Sequence, residues 1–151
     1  MVRKTVFTRA EIVSAGVLVV EKEGLGGLSA RRLAEEMGSS TAPVYSNFAN
    51  MDEVSTAVKA AVTDQMLEYT TRPFTADAFL NMGIGILEFA RQKPTLYSAV
   101  FMQDANNCEA GPRLMSKLGE RMAGLEDVGE LPLTERMMLL HQMGIFTHGL
   151  A

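Results

Sequence analysis

The chain has 151 residues, 47% of them apolar and 21% charged, a balance that supports one folded core, or a small domain with a modest second one, and excludes a disordered chain. Its formal net charge is −4, and its single cysteine, Cys108, rules out an internal disulfide framework and the common structural zinc sites, which fits a reducing, cytoplasmic compartment. The first residues lack the apolar run of a secretion signal, and no window approaches the about 18 consecutive apolar residues that a membrane span needs.

Thr8 with Glu11 three residues on is a capping box, and Gly24 is a stop, so the first helix runs between them. Ile12, Ala15, Gly16, Val19 and Val20 form its buried stripe. After the connector Gly24 to Gly27, Ser29 caps a second helix with Leu33, Ala34 and Met37 as its apolar residues, and Gly38 closes it. Ser40 is expected to cap a third helix, with Pro43 in its first turn and Val44 and Phe48 facing the core. Asn50 with Glu53 opens a longer fourth helix to about Tyr69, with Val54, Val58, Ala61, Val62 and Met66 on one side.

Arg72-Pro73 interrupts the pattern near Thr70. Further helical segments follow at Thr75 to Lys93, Thr95 to Met102, Pro112 to Leu125 and Leu133 to the end, separated by Pro94, Asn106-Asn107, Gly111-Pro112 and Pro132. No strand pattern, repeat or low-complexity stretch is present, so the expected fold is all-α. Residues 1–50 read as a three-helix unit and residues 51–151 as a second helical unit, with 51–69 as the connecting helix.

Two short helices joined by a tight turn behind a longer supporting helix are the layout of a DNA-reading helix-turn-helix, although plain helical cores share it. The charge is neutral through Ala60, so placement decides more than totals. Arg31 and Arg32 occupy the first turn of the second helix and Glu35 and Glu36 its last, the reverse of what the helix dipole prefers. Pairs of Arg31 with Glu35 and Arg32 with Glu36 recover little of that cost, and guanidinium groups there suit phosphate oxygens or guanine edges. On the third helix, burial of Val44 and Phe48 turns Ala42, Tyr45, Ser46 and Ala49 outward, with Thr41 and Asn47 on the flanks and Ser40 at the start. Small groups let a backbone approach base edges, and a tyrosine can meet a thymine methyl and a phosphate.

The run from Arg9 to Val54, with AEIVSAG followed by GxxxLSARRLAEEMGSSTAPVYSNFANMDEV, resembles the DNA-binding domain of the tetracycline-repressor (TetR) family. That resemblance implies that Thr8 and Ser29 bind phosphate, that Arg31 reads a base, that Thr41, Ala42 and Tyr45 face the major groove, and that Ser46 and Asn47 contact phosphate. Three positions depart from the family pattern: Asn47 stands for a frequent histidine, Met51 for a usual lysine and Ser39 for an apolar residue of the turn. The second of these removes an expected phosphate contact.

Seven of the eleven methionines follow Thr70. Methionine is soft enough to line an adaptable apolar pocket, although stripes of this kind are usually core. FARQKPTLYSAVFM and the terminal HGLA resemble segments of TetR-family regulatory domains, which implies a ligand pocket among the later helices and a dimer interface on the helix beginning near Leu133. The candidate lining is Phe79, Met82, Ile86 and Phe89, then Tyr97, Phe101 and Met102, then Met115 and Met122, and finally Met137, His141 and Phe146. The end at Ala151 falls inside that interface helix, so the chain is expected to be truncated. His141 and His148 have no acidic or cysteine partner at helical spacing, which argues against a metal, and Asp104 and Glu109 near Cys108 argue against a reactive thiol.

No catalytic set and no cofactor-binding motif is present. The expectation is a homodimeric regulator that binds a pseudo-palindromic duplex and is released by a small apolar effector, with no enzymatic role and no membrane association. The alternative is a helical ligand-binding or protein-interaction module that has lost DNA binding, which Met51 and the neutral first third favour.

Overall fold

Local capping chemistry sets the first boundaries in the computed structural model, which describes residues 7–101 and 110–151. Helix α1 (Arg9–Glu23) starts where the Thr8 hydroxyl accepts from the Glu11 amide at 3.2 Å and the Thr8 amide donates to the Glu11 carboxylate at 2.7 Å. The backbone bond from Thr8, and then the bond from its hydroxyl, hold the Glu11 carboxyl below the usual carboxylate range. A 3-10 turn (Leu25–Gly27) leads to α2 (Ala30–Met37), where Ser29 Oγ accepts from the Arg32 amide at 3.3 Å. Gly38 then takes φ 63, in the left-handed region that suits glycine, and its N–H returns to the last carbonyls of α2.

The sharpness of that turn corrects one expectation. Helix α3 (Ala42–Asn47) has Thr41 at its N-cap position with no side-chain cap bond, and Ser40 lies exposed in the turn. Thr41 already has helical dihedrals, φ −75 and ψ −10, so its carbonyl, receiving Val44 N at 3.1 Å, starts the helix without a capping hydroxyl. Helix α4 (Met51–Tyr69) follows, with Asn50 Oδ1 accepting from Glu53 N at 2.9 Å. Val54, Val58, Val62 and Met66 recur every fourth residue and are all buried. A side chain at Gly16 of α1 would begin 2.5 Å from Val58 Cγ2, so glycine there permits the close crossing of α1 and α4.

The later helices are α5 (Ala78–Gln92), α6 (Pro94–Phe101), α7 (Ala110–Met122), the short α8 (Glu126–Gly129) and α9 (Leu133–Leu150). Pro132 separates α8 from α9 as expected, but two other prolines expected to separate helices sit in first turns. Pro94 opens α6, and Gly111-Pro112 lies inside α7, where a missing N–H costs no intrahelical bond. Helix α4 is central and touches α1, α5, α6 and α7, while α6 reaches back to α1 and α9 rests on α5 and α7. One continuous apolar core results, from Ile12 and Leu33 through Val58 and Met66 to Phe89, Leu118 and Leu140. Each such side chain contributes about 1.5–3 kcal/mol when fully withdrawn from water. No strand occurs among the described residues, and none of their helices is long and apolar enough to cross a membrane.

Candidate nucleic-acid interface

The α2–turn–α3 hairpin stands on the α1–α4 crossing because Leu33, Val44 and Phe48 are buried beneath it. That burial turns the opposite sides of α2 and α3 to solvent. Arg31, Arg32, Ser40, Thr41, Ala42, Tyr45 and Ser46 are all exposed, with Tyr45 at 58%. Thr8 is exposed at the start of α1, and Ser29 is half-buried in its cap. The tyrosine ring and the small residues beside it therefore form one accessible strip on a supported helix.

Asn47 differs from its neighbours. It is half-buried, and its side-chain amide donates to the carbonyls of Phe7 at 3.2 Å and Pro43 at 2.9 Å. With its NH2 committed inward, it ties α3 to the chain entering α1, and the group left over is an acceptor, which phosphate does not need. Ser46 Oγ donates back to Ala42 O at 2.8 Å, a bond that a rotation of the exposed hydroxyl can exchange.

Two residues beyond the expected set hold the strip in place. Arg9 lies 4.0 Å over the Phe48 ring and donates to Asn47 O at 2.8 Å and Glu53 Oε1 at 2.7 Å. The other Glu53 oxygen accepts from Ala49 N at 2.8 Å. That backbone bond, and then the one from Arg9, hold the Glu53 carboxyl below its usual range. Arg9, Asn47 and Glu53 thus clamp the end of α3 between the starts of α1 and α4. The signal for it in the sequence is slight: an arginine at the first helical position of α1 and a glutamate at the capping-box position of α4.

The charge pairing of α2 also departs from expectation. Arg31 pairs with Glu35 at 3.1 Å, but Arg32 meets Glu23 and Glu35, while Glu36 is taken by Lys22 at 2.7 Å. Glu36 faces α1, so the tertiary neighbour outcompetes the i+4 one. Bonds from Arg32 first and Arg31 second hold the Glu35 carboxyl below its usual range. Arg32 is therefore neutralised by two acids, whereas Arg31, with a side chain 87% exposed, has one partner and keeps its outer nitrogens open.

The expected ligand pocket does not assemble as one lining. Met82, Ile86, Phe89, Tyr97 and Met122 are buried within the core, and Phe79, Phe101 and Met115 pack half-buried against it. Met137, His141 and Phe146 instead face solvent, Phe146 at 67%, because α9 turns Leu140, Met143 and Thr147 towards α5 and α7. Met102 and Cys108 lie outside the described residues. Tyr97, Phe101 and His148 pack with their rings tilted against one another, and the Tyr97 hydroxyl meets His148 Nδ1 at 2.9 Å, while burial pushes the Tyr97 phenol up. No group of metal-binding side chains occurs among the described residues.

No protein-family model and no curated protein matches the chain. Its fold is similar to that of a TetR transcriptional regulator from Streptomyces coelicolor, with 21% identity and a TM-score of 0.69 over 95% of this chain and 70% of that one. A second similar structure, described as a possible TetR family transcriptional regulator from Streptomyces coelicolor A3(2), has 20% identity and a TM-score of 0.60 over 94% and 68% of the two chains. The chain therefore has the all-α fold of these regulators.

Proposed function

We propose that this chain is a sequence-specific DNA-binding transcriptional regulator of the TetR type. Residues 1–50 act as the reading unit, and 51–151 as the effector-binding and dimerisation unit. The observation that carries the reading is the exposed strip of Thr41, Ala42 and Tyr45 beside Arg31, held by the Arg9, Asn47 and Glu53 clamp on a buried support. A merely solvated helix face needs no such clamp. Thr8 and Ser29 serve phosphates at the edges of the strip. Asn47 acts as a positioning residue.

Two copies set their α3 helices in successive major grooves of a pseudo-palindromic operator, about one helical turn apart. The outer face of α9, with Met138, Ile145, Phe146 and Leu150 exposed, is the surface on which the copies meet. A small effector of apolar character releases the operator by favouring the conformation that spaces the reading helices wrongly, so operator and effector weaken each other reciprocally. The protein is not an enzyme and works in the cytoplasm.

The test is duplex binding as a function of salt. A regulator of this kind loses affinity steeply as salt rises, because each phosphate neutralised releases counterions. Arg32 pairs with Glu23 and Glu35 in the free protein, so any phosphate it meets must displace those acids, and the slope reports how many such contacts form. Absence of any salt-dependent duplex binding would instead favour a ligand-binding module without DNA.

A further inference from the structure

A cleft of about 520 Å³ opens between α7 and the start of α9, on the outside of the core. Its volume falls in the range of small-molecule sites, about 300–1,000 Å³. Met115, Met122, Leu133 and Met137 make it apolar. Gly119 lies on its α7 wall, and a side chain there would begin 3.8 Å from Leu140 and 3.9 Å from Met137, at ordinary contact. Packing does not demand a glycine at this mid-helix position, where it weakens the helix, so its missing side chain is space left to the cleft.

The cleft also holds a guanidinium, that of Arg136. Arg136 lines it with Nε buried and without a hydrogen-bond acceptor among the described residues. The acid in the lining, Glu120, is paired with Lys117 at 3.0 Å. A guanidinium presents two parallel N–H groups that match the two oxygens of a carboxylate. We propose that the α7–α9 cleft binds an amphiphilic carboxylate, its apolar chain on Met115, Leu133 and Met137 and its head group on Arg136. The inference deepens the regulator reading, and rests on it, in making this ligand the effector.

Helix α7 has the connections that role needs. Arg113 bonds Asp64 at 3.0 Å, and Arg121 donates to Leu67 O at 3.0 Å and to Thr70 Oγ1, so α7 is latched to α4 at two points. At its other end α4 carries Glu53 and the clamp on α3. A ligand that displaces α7 therefore pulls on the helix that supports the reading strip.

Titration calorimetry on the purified full chain without DNA, using decanoate, 1-decanol and decyltrimethylammonium below their micellar concentrations, tests the site. Decanoate should bind at least tenfold more tightly than decanol, with the ammonium weakest. Arg136→Met should erase that preference, and Arg136→Lys should retain part of it. Gly119→Phe, or Ser116→Trp at an exposed position on the same wall, should lower the affinity for decanoate at least tenfold with helical circular dichroism unchanged. Equal affinity for decanoate and decanol, a preference that survives Arg136→Met, or binding indifferent to both cleft-filling variants would overturn the site. Decanoate that binds but leaves duplex affinity unchanged would remove the effector role. Since calorimetry omits DNA, failure there leaves the regulator reading standing, and failure of duplex binding leaves the cleft standing.

Discussion

The large side chains exposed on α3 and on α9 are exposed in different ways. On α3, Tyr45 stands 58% exposed among small and hydroxylated residues, on a helix fixed by Arg9, Asn47 and Glu53. On α9, Met138, Ile145, Phe146 and Leu150 are exposed by 59% to 67% and adjoin further apolar residues along one helix. The first surface is polar at its rim and held from behind, as suits a rigid reader of a polar groove. The second is a coherent apolar face of the kind that soluble proteins cover with a partner. Similar exposure thus accompanies two surfaces of unlike chemistry.

The largest expected effect tests the support of the first surface. Leu33→Ala removes a fully buried side chain beneath the hairpin and should destabilise the protein by about 2–5 kcal/mol, read from denaturant unfolding. A loss below that range would mean that the strip does not depend on its buried foundation. On the second surface, Phe146→Glu should cost about 2–4 kcal/mol of dimerisation with little loss of monomer stability. Sedimentation over a range of concentrations checks this, and an unaltered association constant would take α9 out of the dimer. Tyr45→Ala should weaken specific duplex binding by about 1–3 kcal/mol while unfolding is unchanged. Equal weakening on every duplex sequence would reassign the ring from base reading to phosphate contact.

Acid gives the smallest effect and bears on the first surface. The carboxyls of Glu11, Glu35 and Glu53 all sit below their usual range. A carboxyl lowered in the folded state contributes stability that is present above its unfolded pKa, about 4–4.5, and is lost as pH falls through the lowered folded value. The denaturation midpoint should therefore be flat from pH 8 to 6 and fall below about pH 4.5. Glu53→Gln should flatten part of that fall, and an unchanged acid profile would argue that the clamp contributes nothing.

The boundaries of α1, α2 and α4 were legible because their signals are local: Thr8, Ser29 and Asn50 each bond an amide three residues on. The outward turn of Tyr45 was legible too, since the buried pair Val44 and Phe48 leaves it only one side. The inward bond of the Asn47 amide was not legible for the opposite reason, because its partner Phe7 O is 40 residues away. The side of α9 that meets the core was not legible because the helix is apolar nearly all round. Leu140 and Met143 cannot be told from Met137 and Phe146 by periodicity, so the sequence carried no signal for which side would find the core.

The amino-acid order alone determined an all-helical chain, its capped helices and the hairpin that places small residues beside an exposed tyrosine, since these depend on contacts within a few residues. The tertiary structure decided which charges are spent: Arg32 on Glu23, Glu36 on Lys22, Arg9 on Glu53, each across helices. It also decided which face of α9 is left open and that Arg136 Nε is buried without an acceptor among the described residues. Those outcomes depend on which helices come to lie side by side, and burial of apolar surface, which is non-directional, settles that only once all the helices compete for the same core.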